Sequence, residues 1–320
     1  MEEQPIEGTV IKSTGSWYLV RTDAGEVVQC RIKGKFRINA MRLTNPVAVG
    51  DRVTIAIEDE VEERGIIKQI HDRTNYIVRA SPRRRYHLHL LAANVDQAVV
   101  LNTIREPNLK QGFIDRFLLM TEPFDLPVYI IFNKADLYTE DDLMVYGGLQ
   151  HIYEDIGYHT LLTSTVTGQG MDELRRILTD KTTLVSGHSG VGKSTIINTL
   201  EPSLDIVTQE ISDYSGKGQH TTTFAEMHTL STGGQIIDTP GIKSLSFINM
   251  EPREVADNFR EIFKYGKGCK YSDCLHVNEP KCAVKAAVES GDIHELRYHN
   301  YLMLLDETQE QNNWERNYDL

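Results

Sequence analysis

The hydrophobic pattern changes character twice along the chain, and these changes mark the predicted domains. Residues 1–70 contain short β-rich runs separated by glycine-containing turns, at Gly8–Ile11, Trp17–Arg21, Val27–Ile32 and Arg52–Ile57. Short strands at this spacing are typical of a small barrel, which we predict over residues 1–70. Residues 71–90 are predicted to form a basic linker.

From residue 91 onward, apolar strands alternate with segments of helical spacing. Strands are predicted at Val95–Asn102, Pro127–Phe132, Thr160–Thr163, Thr183–Ser186, Thr223–Thr229 and Gln235–Ile237, and helices at Gln111–Met120, Met171–Leu178 and from Lys193. Such alternation favours a parallel sheet with helices on both faces, here over residues 91–250. Residues 251–320 are predicted to be helical again, except for a loop that carries cysteines.

Composition limits the class of protein. The 320 residues are 40% hydrophobic and 25% charged, as in ordinary soluble globular chains. No apolar run approaches the roughly 18 residues of a membrane span, and the acidic N-terminus lacks an apolar signal segment, so we expect a cytoplasmic protein without a membrane partner.

Charge is unevenly distributed. The net charge of −12 argues against general nucleic-acid binding, yet residues 1–90 hold 15 Lys and Arg against 12 Asp and Glu. The basic stretches Arg31–Arg37 and Arg79–Arg85 are either solvated loops or local nucleic-acid contacts, and the sequence leaves both open.

The segment Gly187–Ser194, GHSGVGKS, fits the phosphate-binding pattern G-x-x-x-x-G-K-[ST] between an apolar strand and a helix. Glycines let backbone N–H groups surround phosphate oxygens, and the helix N-terminus adds partial positive charge. Lys193 is expected to reach the β- and γ-phosphates, and the Ser194 hydroxyl to ligate Mg²⁺. The predicted nucleotide contacts in this loop are Gly187, His188, Ser189, Gly190, Val191, Gly192, Lys193 and Ser194.

The segment Asn133–Asp136, NKAD, predicts which base is bound, because it ends an apolar strand where a parallel sheet presents ligand-binding loops. The Asp136 carboxylate can accept hydrogen bonds from guanine N1–H and the exocyclic amine, a donor pair that adenine lacks. Ser164-Thr-Val is expected to support the base through backbone N–H groups. The predicted guanine-site residues are Asn133, Lys134, Ala135, Asp136 and Ser164.

Two further segments are expected to face the γ-phosphate. In Asp238–Gly241, DTPG, the Asp238 carboxylate can hold Mg²⁺ through water, and the Gly241 N–H can contact the γ-phosphate. Residues 218–223, GQHTTT, contain threonines, and we assign Thr222 as an Mg²⁺ ligand beside Ser194 and Asp238. Such a threonine binds the ion only while the γ-phosphate is present, which makes the segment a switch.

The order of these motifs is unusual, because ordinary GTPases begin with the phosphate loop and end with the guanine motif. A circular permutation preserves the sheet while relocating the termini. This order, together with GHSGVGKS, GQHTTT and DTPG, resembles the RsgA family of circularly permuted, ribosome-dependent GTPases over essentially the whole chain.

The resemblance implies a multidomain fold: an N-terminal OB-fold β-barrel, a circularly permuted α/β P-loop GTPase domain and a C-terminal helical zinc-binding domain. It also implies hydrolysis of GTP to GDP and phosphate in late assembly of the 30S ribosomal subunit, stimulated by that subunit and with rRNA contacts. We expect a monomer.

Catalysis is expected to depend on a histidine. The residue after DTPG is Ile242, which cannot orient water as a glutamine there would. The resemblance assigns that role to His220 of the GQHTTT segment, and an imidazole can orient or deprotonate water near neutral pH. Lys193 joins it as the second predicted catalytic residue. A surface switch histidine without a catalytic role remains the alternative.

The C-terminal loop offers three thiols and one imidazole within 14 residues: Cys269, Cys274, His276 and Cys282. A Cys₃His set suits tetrahedral Zn²⁺ and leaves no open position, so one structural ion is predicted beside the Mg²⁺ that accompanies GTP. Two other functions stay open. One is a nucleotide-gated RNA-binding module with incidental turnover; the other, a signalling GTPase without RNA, is disfavoured by the basic barrel and the cysteine cluster.

Overall fold

Five strands at the N-terminus close into a barrel. The computed structural model describes residues 5–32, 45–59, 64–80, 88–206, 225–239 and 250–318. The barrel strands are β1 (Ile6–Ser13), β2 (Tyr18–Thr22), β3 (Val27–Ile32), β4 (Arg52–Asp59) and β5 (Arg64–Ile70). They pair in the order β1-β2-β3-β5-β4, and β4 pairs back onto β1. The predicted OB-fold barrel is therefore confirmed.

The barrel interior follows the two-residue period of its strands. In β2, buried and half-buried positions alternate, so that Tyr18, Val20 and Thr22 point inward. Cys30, Ile55 and their apolar neighbours complete a closed core. The isolated cysteine is thus a packing residue of the barrel.

Residues 71–90 contain more structure than the predicted linker. Strand β6 (Tyr76–Ala80) pairs antiparallel with β7 (Leu88–Ala93), while residues 81–87 lie outside the described part of the chain. Ile77 and Leu90 are almost fully buried. The density of arginines between the two strands concealed this short apolar pattern from the sequence analysis.

The middle of the chain forms the predicted α/β domain. Its strands are β8 (Gln97–Asn102), β9 (Val128–Phe132), β10 (His159–Leu162), β11 (Thr182–Gly187), β12 (Glu226–Thr229) and β13 (Gln235–Asp238). They lie in the order β10-β9-β8-β11-β13-β12. All six positions of β8 are buried, as expected for a parallel strand covered on both faces.

One strand departs from the predicted parallel arrangement. β12 runs antiparallel to β13, with Glu226 opposite Asp238 and Thr229 opposite Gln235. A short turn joins the two strands, and a parallel pair would need a crossover of a dozen residues or more. The sheet is therefore parallel except at this edge.

In the described part of this domain, four α-helices cover the sheet: α1 (Gln111–Thr121), α2 (Glu140–Asp155), α3 (Met171–Leu178) and α4 (Lys193–Leu200). Helix α2 is absent from the predicted helices, because its apolar Leu143, Met144 and Val145 are consecutive, which obscures a helical period. All three are exposed in the structure. A capping box between Thr139 and Asp142 fixes its first turn.

The C-terminal domain is helical apart from the cysteine loop, as predicted. Its helices are α5 (Pro252–Asp257), α6 (Arg260–Gly266), α7 (Ala283–Glu289) and α8 (Glu295–Tyr318). One hydrophobic core continues from Phe117 of α1 to Phe259 and Tyr301 of this domain. Within the described residues, no helix has the length and apolar character needed to cross a membrane.

The barrel meets the edge of the α/β sheet. Lys12 of β1 pairs with Glu226 of β12, and their side chains form an ion pair at 2.7 Å. Arg21 donates to the Thr229 hydroxyl at 2.7 Å. The barrel thus continues the sheet beyond its antiparallel edge strand.

Candidate active site and metal centre

The GHSGVGKS segment forms a tight loop between β11 and α4. Gly192 precedes the helix at φ +94°, and Gly190 adopts φ +87°, conformations that side chains rarely take. A Cβ at Gly187 would lie 2.6 Å from the Leu101 carbonyl oxygen, and one at Gly192 would lie 2.5 Å from Asn133 Nδ2. Backbone conformation and close neighbours together explain the glycines of the motif.

The Lys193 ammonium group is held inside this loop. Its Nζ atom donates to the carbonyl oxygens of Gly187, at 2.9 Å, and His188, at 3.1 Å. Burial lowers the pKa of Lys193, and the nearby Asp238 carboxylate opposes that shift. Ser194 follows as the second residue of α4, half-buried.

Asp238 at the end of β13 has the features of a cation ligand. It is 2% exposed, and its Oδ1 atom has no hydrogen-bond partner among the described residues. Burial raises the pKa of Asp238 to about 6, against the lowering effect of Lys193. A buried carboxylate oxygen without a partner is costly alone, so the residue suits a divalent cation.

The NKAD segment is fastened to the phosphate loop and to the neighbouring strand. Asn133, which is 1% exposed, donates from Nδ2 to the Val191 carbonyl oxygen at 3.0 Å. The Thr163 hydroxyl donates to Asn133 Oδ1 at 3.1 Å. The Ala135 N–H donates to the Thr163 carbonyl oxygen at 3.0 Å. The two predicted motifs therefore meet at one end of the sheet.

The Ser164 hydroxyl lies beside the Asp136 carboxylate of the guanine motif. The hydroxyl donates to Asp136 Oδ1 and accepts from the N–H groups of Val166, at 3.2 Å, and Thr167, at 3.1 Å. Asp136 itself is exposed. The predicted support of the base by backbone N–H groups stays a prediction, since the Ser164 N–H donates to the Gln169 carbonyl oxygen at 3.0 Å. The contact seen here is the one from the hydroxyl to Asp136.

A cavity of about 280 Å³ lies beside the phosphate loop. The His188 ring packs against Phe113 of α1, with ring centroids 4.1 Å apart. Burial, followed by the charges of Lys110 and Lys193, lowers the pKa of His188 and so favours the neutral ring. The lining residues are Asn102, Thr103, Pro107, Asn108, Lys110, His188, Ser189 and Val191.

Three predicted site residues, His220, Thr222 and Gly241, lie outside the described part of the chain. Their roles stay predictions.

The four predicted zinc ligands come together between α6 and α7, their candidate ligand atoms all within 4.8 Å of one another. His276 Nδ1 is 3.5 Å from the sulfurs of both Cys269 and Cys282, which are 3.9 Å apart. Zn–S bonds of about 2.3 Å and Zn–N bonds of about 2.0 Å give tetrahedral edges of roughly 3.8 and 3.5 Å. The donor set therefore fits one Zn²⁺.

Two tyrosines of helix α8 hydrogen-bond to the loop that carries His276. The Tyr298 hydroxyl donates to the His276 carbonyl oxygen at 2.6 Å, and the Tyr301 hydroxyl donates to the Leu275 carbonyl oxygen at 2.7 Å. The Glu279 carboxylate accepts the N–H groups of Leu275 and Val277. These contacts fix the backbone of the loop that carries His276.

Two family profiles match the chain. The one described as RsgA GTPase matches residues 70–248, and the one described as RsgA N-terminal domain matches residues 7–67. The chain belongs to the RsgA GTPase family. It is accordingly a GTP hydrolase.

Members of the RsgA family resemble the chain over almost its full length. A protein of Bacteroides fragilis named "Small ribosomal subunit biogenesis GTPase RsgA" is 49% identical over 305 residues, 95% of this chain and 98% of that protein. A protein of the same name from Flavobacterium johnsoniae is 47% identical over 306 residues, 95% of this chain and 94% of that protein.

Solved structures agree with the RsgA assignment. YjeQ from Thermotoga maritima superimposes with a TM-score of 0.74 at 34% identity, covering 95% of this chain and 99% of that one. YloQ, described as a circularly permuted GTPase, gives a TM-score of 0.71 at 32% identity and covers 96% of each chain. The predicted circular permutation is thereby confirmed.

Proposed function

We propose that this chain hydrolyses GTP in biogenesis of the small ribosomal subunit, with turnover stimulated by the subunit itself. The observation that best supports GTP hydrolysis is the 3.0 Å hydrogen bond from Asn133 Nδ2 to the Val191 carbonyl oxygen. It joins the guanine motif to the phosphate loop, so one nucleotide can reach both. The relatives named for small-subunit biogenesis support the cellular role.

The residue roles in this proposal follow from the order of the motifs along the sequence and from side-chain chemistry. Asp136 reads guanine, and its loop is shaped by Asn133, Lys134, Ala135 and Ser164. Residues Gly187–Ser194 bind the phosphates, and Gly241 contacts the γ-phosphate. Ser194, Thr222 and Asp238 would hold Mg²⁺, which would supply positive charge against the β- and γ-phosphates.

Catalysis in this proposal uses two side chains. The Lys193 ammonium group, whose hydrogen-bond partners among the described residues are loop carbonyl oxygens, can turn its charge to phosphate oxygens. His220 orients the attacking water, since Ile242 after DTPG cannot. The phosphate loop supplies backbone N–H groups, which stabilise charge as the bond to the leaving GDP breaks.

We propose that rRNA contacts use the basic stretches of the first 90 residues, while the acidic remainder of the chain stays away from the phosphate backbone. Residues 1–90 carry a surplus of basic side chains in a chain of net charge −12. In the same proposal the cysteine cluster holds one structural Zn²⁺, and the protein acts as a monomer.

The test is GTP turnover with and without purified 30S subunits. A large increase on adding subunits supports the proposal, and Lys193→Ala should abolish turnover in both conditions. Unchanged turnover together with GTP-dependent 30S binding favours the alternative, a nucleotide-gated RNA-binding module.

The RNA contacts have their own measurement, which is 30S binding against salt concentration with a GTP analogue. Lys33/Lys35/Arg37→Ala and Arg83/Arg84/Arg85→Ala should each weaken the salt dependence of binding. The slope of the log binding constant against log salt concentration should become shallower by about 0.9 per lost duplex contact. If both variants bind 30S subunits like the parent at every salt concentration, the basic stretches do not contact rRNA and the RNA-binding surface lies elsewhere.

A further inference from the structure

Tyr138 connects the guanine motif to a segment that no motif covers. Its hydroxyl donates to the Asn133 carbonyl oxygen at 2.8 Å and accepts from the Ile104 N–H at 2.8 Å. Ile104 lies in the loop between β8 and α1, which has no recognisable nucleotide-binding pattern. One phenol thus joins two loops that are 34 residues apart along the chain.

A second contact joins the same two loops. Lys134 adopts φ +64°, and its Nζ atom donates to the Glu106 carbonyl oxygen at 2.6 Å. Pro107, the next residue, lies against the phosphate loop: a Cβ on Gly190 would be 3.6 Å from Pro107 Cδ. The loop after β8 therefore touches both the guanine motif and the phosphate loop.

We propose that Tyr138 is a positioning residue that sets the orientation of the Asp136 carboxylate by fixing the backbone of the NKAD loop against the loop after β8. This inference rests on the proposed guanine-reading role of Asp136. Two other sides of the NKAD loop are already held, by Val191 and by Thr163. Tyr138 and Lys134 supply the third side.

The chemistry of the phenol suits this role. Burial raises the pKa of Tyr138 to about 12, so the hydroxyl stays protonated and keeps donating to Asn133 throughout the physiological range. A phenylalanine keeps the ring but leaves the Asn133 carbonyl and the Ile104 N–H without this partner. The Tyr138 hydroxyl bonds to the guanine loop and to Ile104 of the loop after β8, and neither bond goes to the phosphate loop itself. Its loss should therefore affect recognition of the base and spare the chemical step.

The experiment compares GTP and ITP with the full chain. Inosine lacks the exocyclic amine, so ITP forms one hydrogen bond fewer with Asp136, and the GTP-to-ITP affinity ratio reports the orientation of that carboxylate. Tyr138→Phe should weaken GTP binding about tenfold and lower this ratio, while kcat at saturating GTP stays within about twofold. A general loss of stability would weaken both nucleotides alike and leave the ratio unchanged.

Tyr158→Phe is the matched control. It removes one phenol hydroxyl that donates to Glu122 Oε2 at 2.8 Å, a contact remote from the guanine motif, and it should leave the ratio unchanged. An unaltered ratio in Tyr138→Phe, or an equal change in Tyr158→Phe, overturns the inference. If the parent itself binds ATP as well as GTP, it is the guanine-reading role that fails.

A measurement on the parent protein covers the case in which Tyr138→Phe does not fold. GDP should slow hydrogen exchange of the Ile104 amide, because ordering the NKAD loop also orders the phenol that accepts this N–H. ADP should have no such effect. Exchange at Ile104 that is unaffected by GDP contradicts the inference.

Discussion

Arg297 of α8 and Asp115 of α1 form a buried ion pair, with 2.5 Å between Nη1 and Oδ1. The side chains are 3% and 0% exposed. Arg297 also donates from Nε to Glu261 at 2.6 Å, and the Tyr153 hydroxyl donates to Asp115 at 2.7 Å. This network therefore fastens the GTPase domain to the C-terminal domain.

Removing one partner of that pair should be strongly destabilising. Asp115→Ala leaves the Arg297 charge buried with one carboxylate fewer, and breaking such pairs costs about 3–5 kcal/mol. Calorimetry should show a lower unfolding temperature. As control, Asp172→Ala removes the exposed pair with Arg175 and should change little. Equal unfolding temperatures for the two variants would contradict a structural role of the buried pair.

Guanine selectivity should depend on Asp136. GTP and GDP should bind far better than ATP, because the carboxylate accepts from both guanine donors. Asp136→Asn should shift preference toward xanthine nucleotides, whose edge carries the complementary carbonyl. Competition binding with GTP, ATP and XTP measures this. Equal affinities of the parent for ATP and GTP would remove the assignment.

His220 should matter for the chemical step alone. His220→Ala should retain GTP affinity and lower the stimulated kcat by about a hundredfold or more, as expected when a group acts only in the transition state. His228→Ala, which removes a half-buried histidine of β12, is the control. Stimulated turnover that survives in His220→Ala excludes this residue from the mechanism.

The metal site should be required for the C-terminal domain. One Zn²⁺ per chain is expected, and Cys274→Ser should lose the ion and disorder the domain, because structural zinc supplies folding energy. Cys30→Ala should keep the ion, since Cys30 lies in the barrel core. Elemental analysis and far-UV circular dichroism measure both effects; zinc-free protein with an intact helical signal would refute the prediction.

The pKa of His188 should be lowered by burial and by its two neighbouring lysines. Burial and the charges of Lys110 and Lys193 disfavour the imidazolium, so NMR should give a pKa below the ordinary 6.5. The stabilisation from the neutral ring is present above that ordinary pKa and is lost as the pH falls below it. Lys110→Ala should raise the pKa of His188, whereas loss of the exposed Lys181 should not. A pKa at or above 6.5 in the parent contradicts the packing.

The motifs were predictable because each is local in sequence. Gly190 and Gly192 are demanded by the backbone of one loop, and the strand before NKAD is a continuous apolar run. The donor set from Cys269 to Cys282 likewise lies within one loop. A motif that a few adjacent residues form can be predicted from those residues.

The missed features depend on contacts between distant segments. Arg297 and Asp115 are 182 residues apart, and nothing in either local sequence announces the partner. Tyr138 follows the guanine motif as an ordinary aromatic residue until the Ile104 amide is seen beside it. Helix α2 was not predicted because the three consecutive apolar residues near its start do not recur with the period of a helix. In the structure these three are exposed and do not belong to the core.

The pairing of β1 with β12 affects the solubility of the GTPase domain when it is produced without the barrel. An unpaired strand at the rim of a sheet presents free N–H and C=O groups, which recruit strands from other molecules. In the full chain Lys12 and Arg21 cover the rim at Glu226 and Thr229. A fragment that starts at β8 would expose the free edge of β12 and be prone to aggregate. The barrel therefore keeps the GTPase domain soluble by covering that edge.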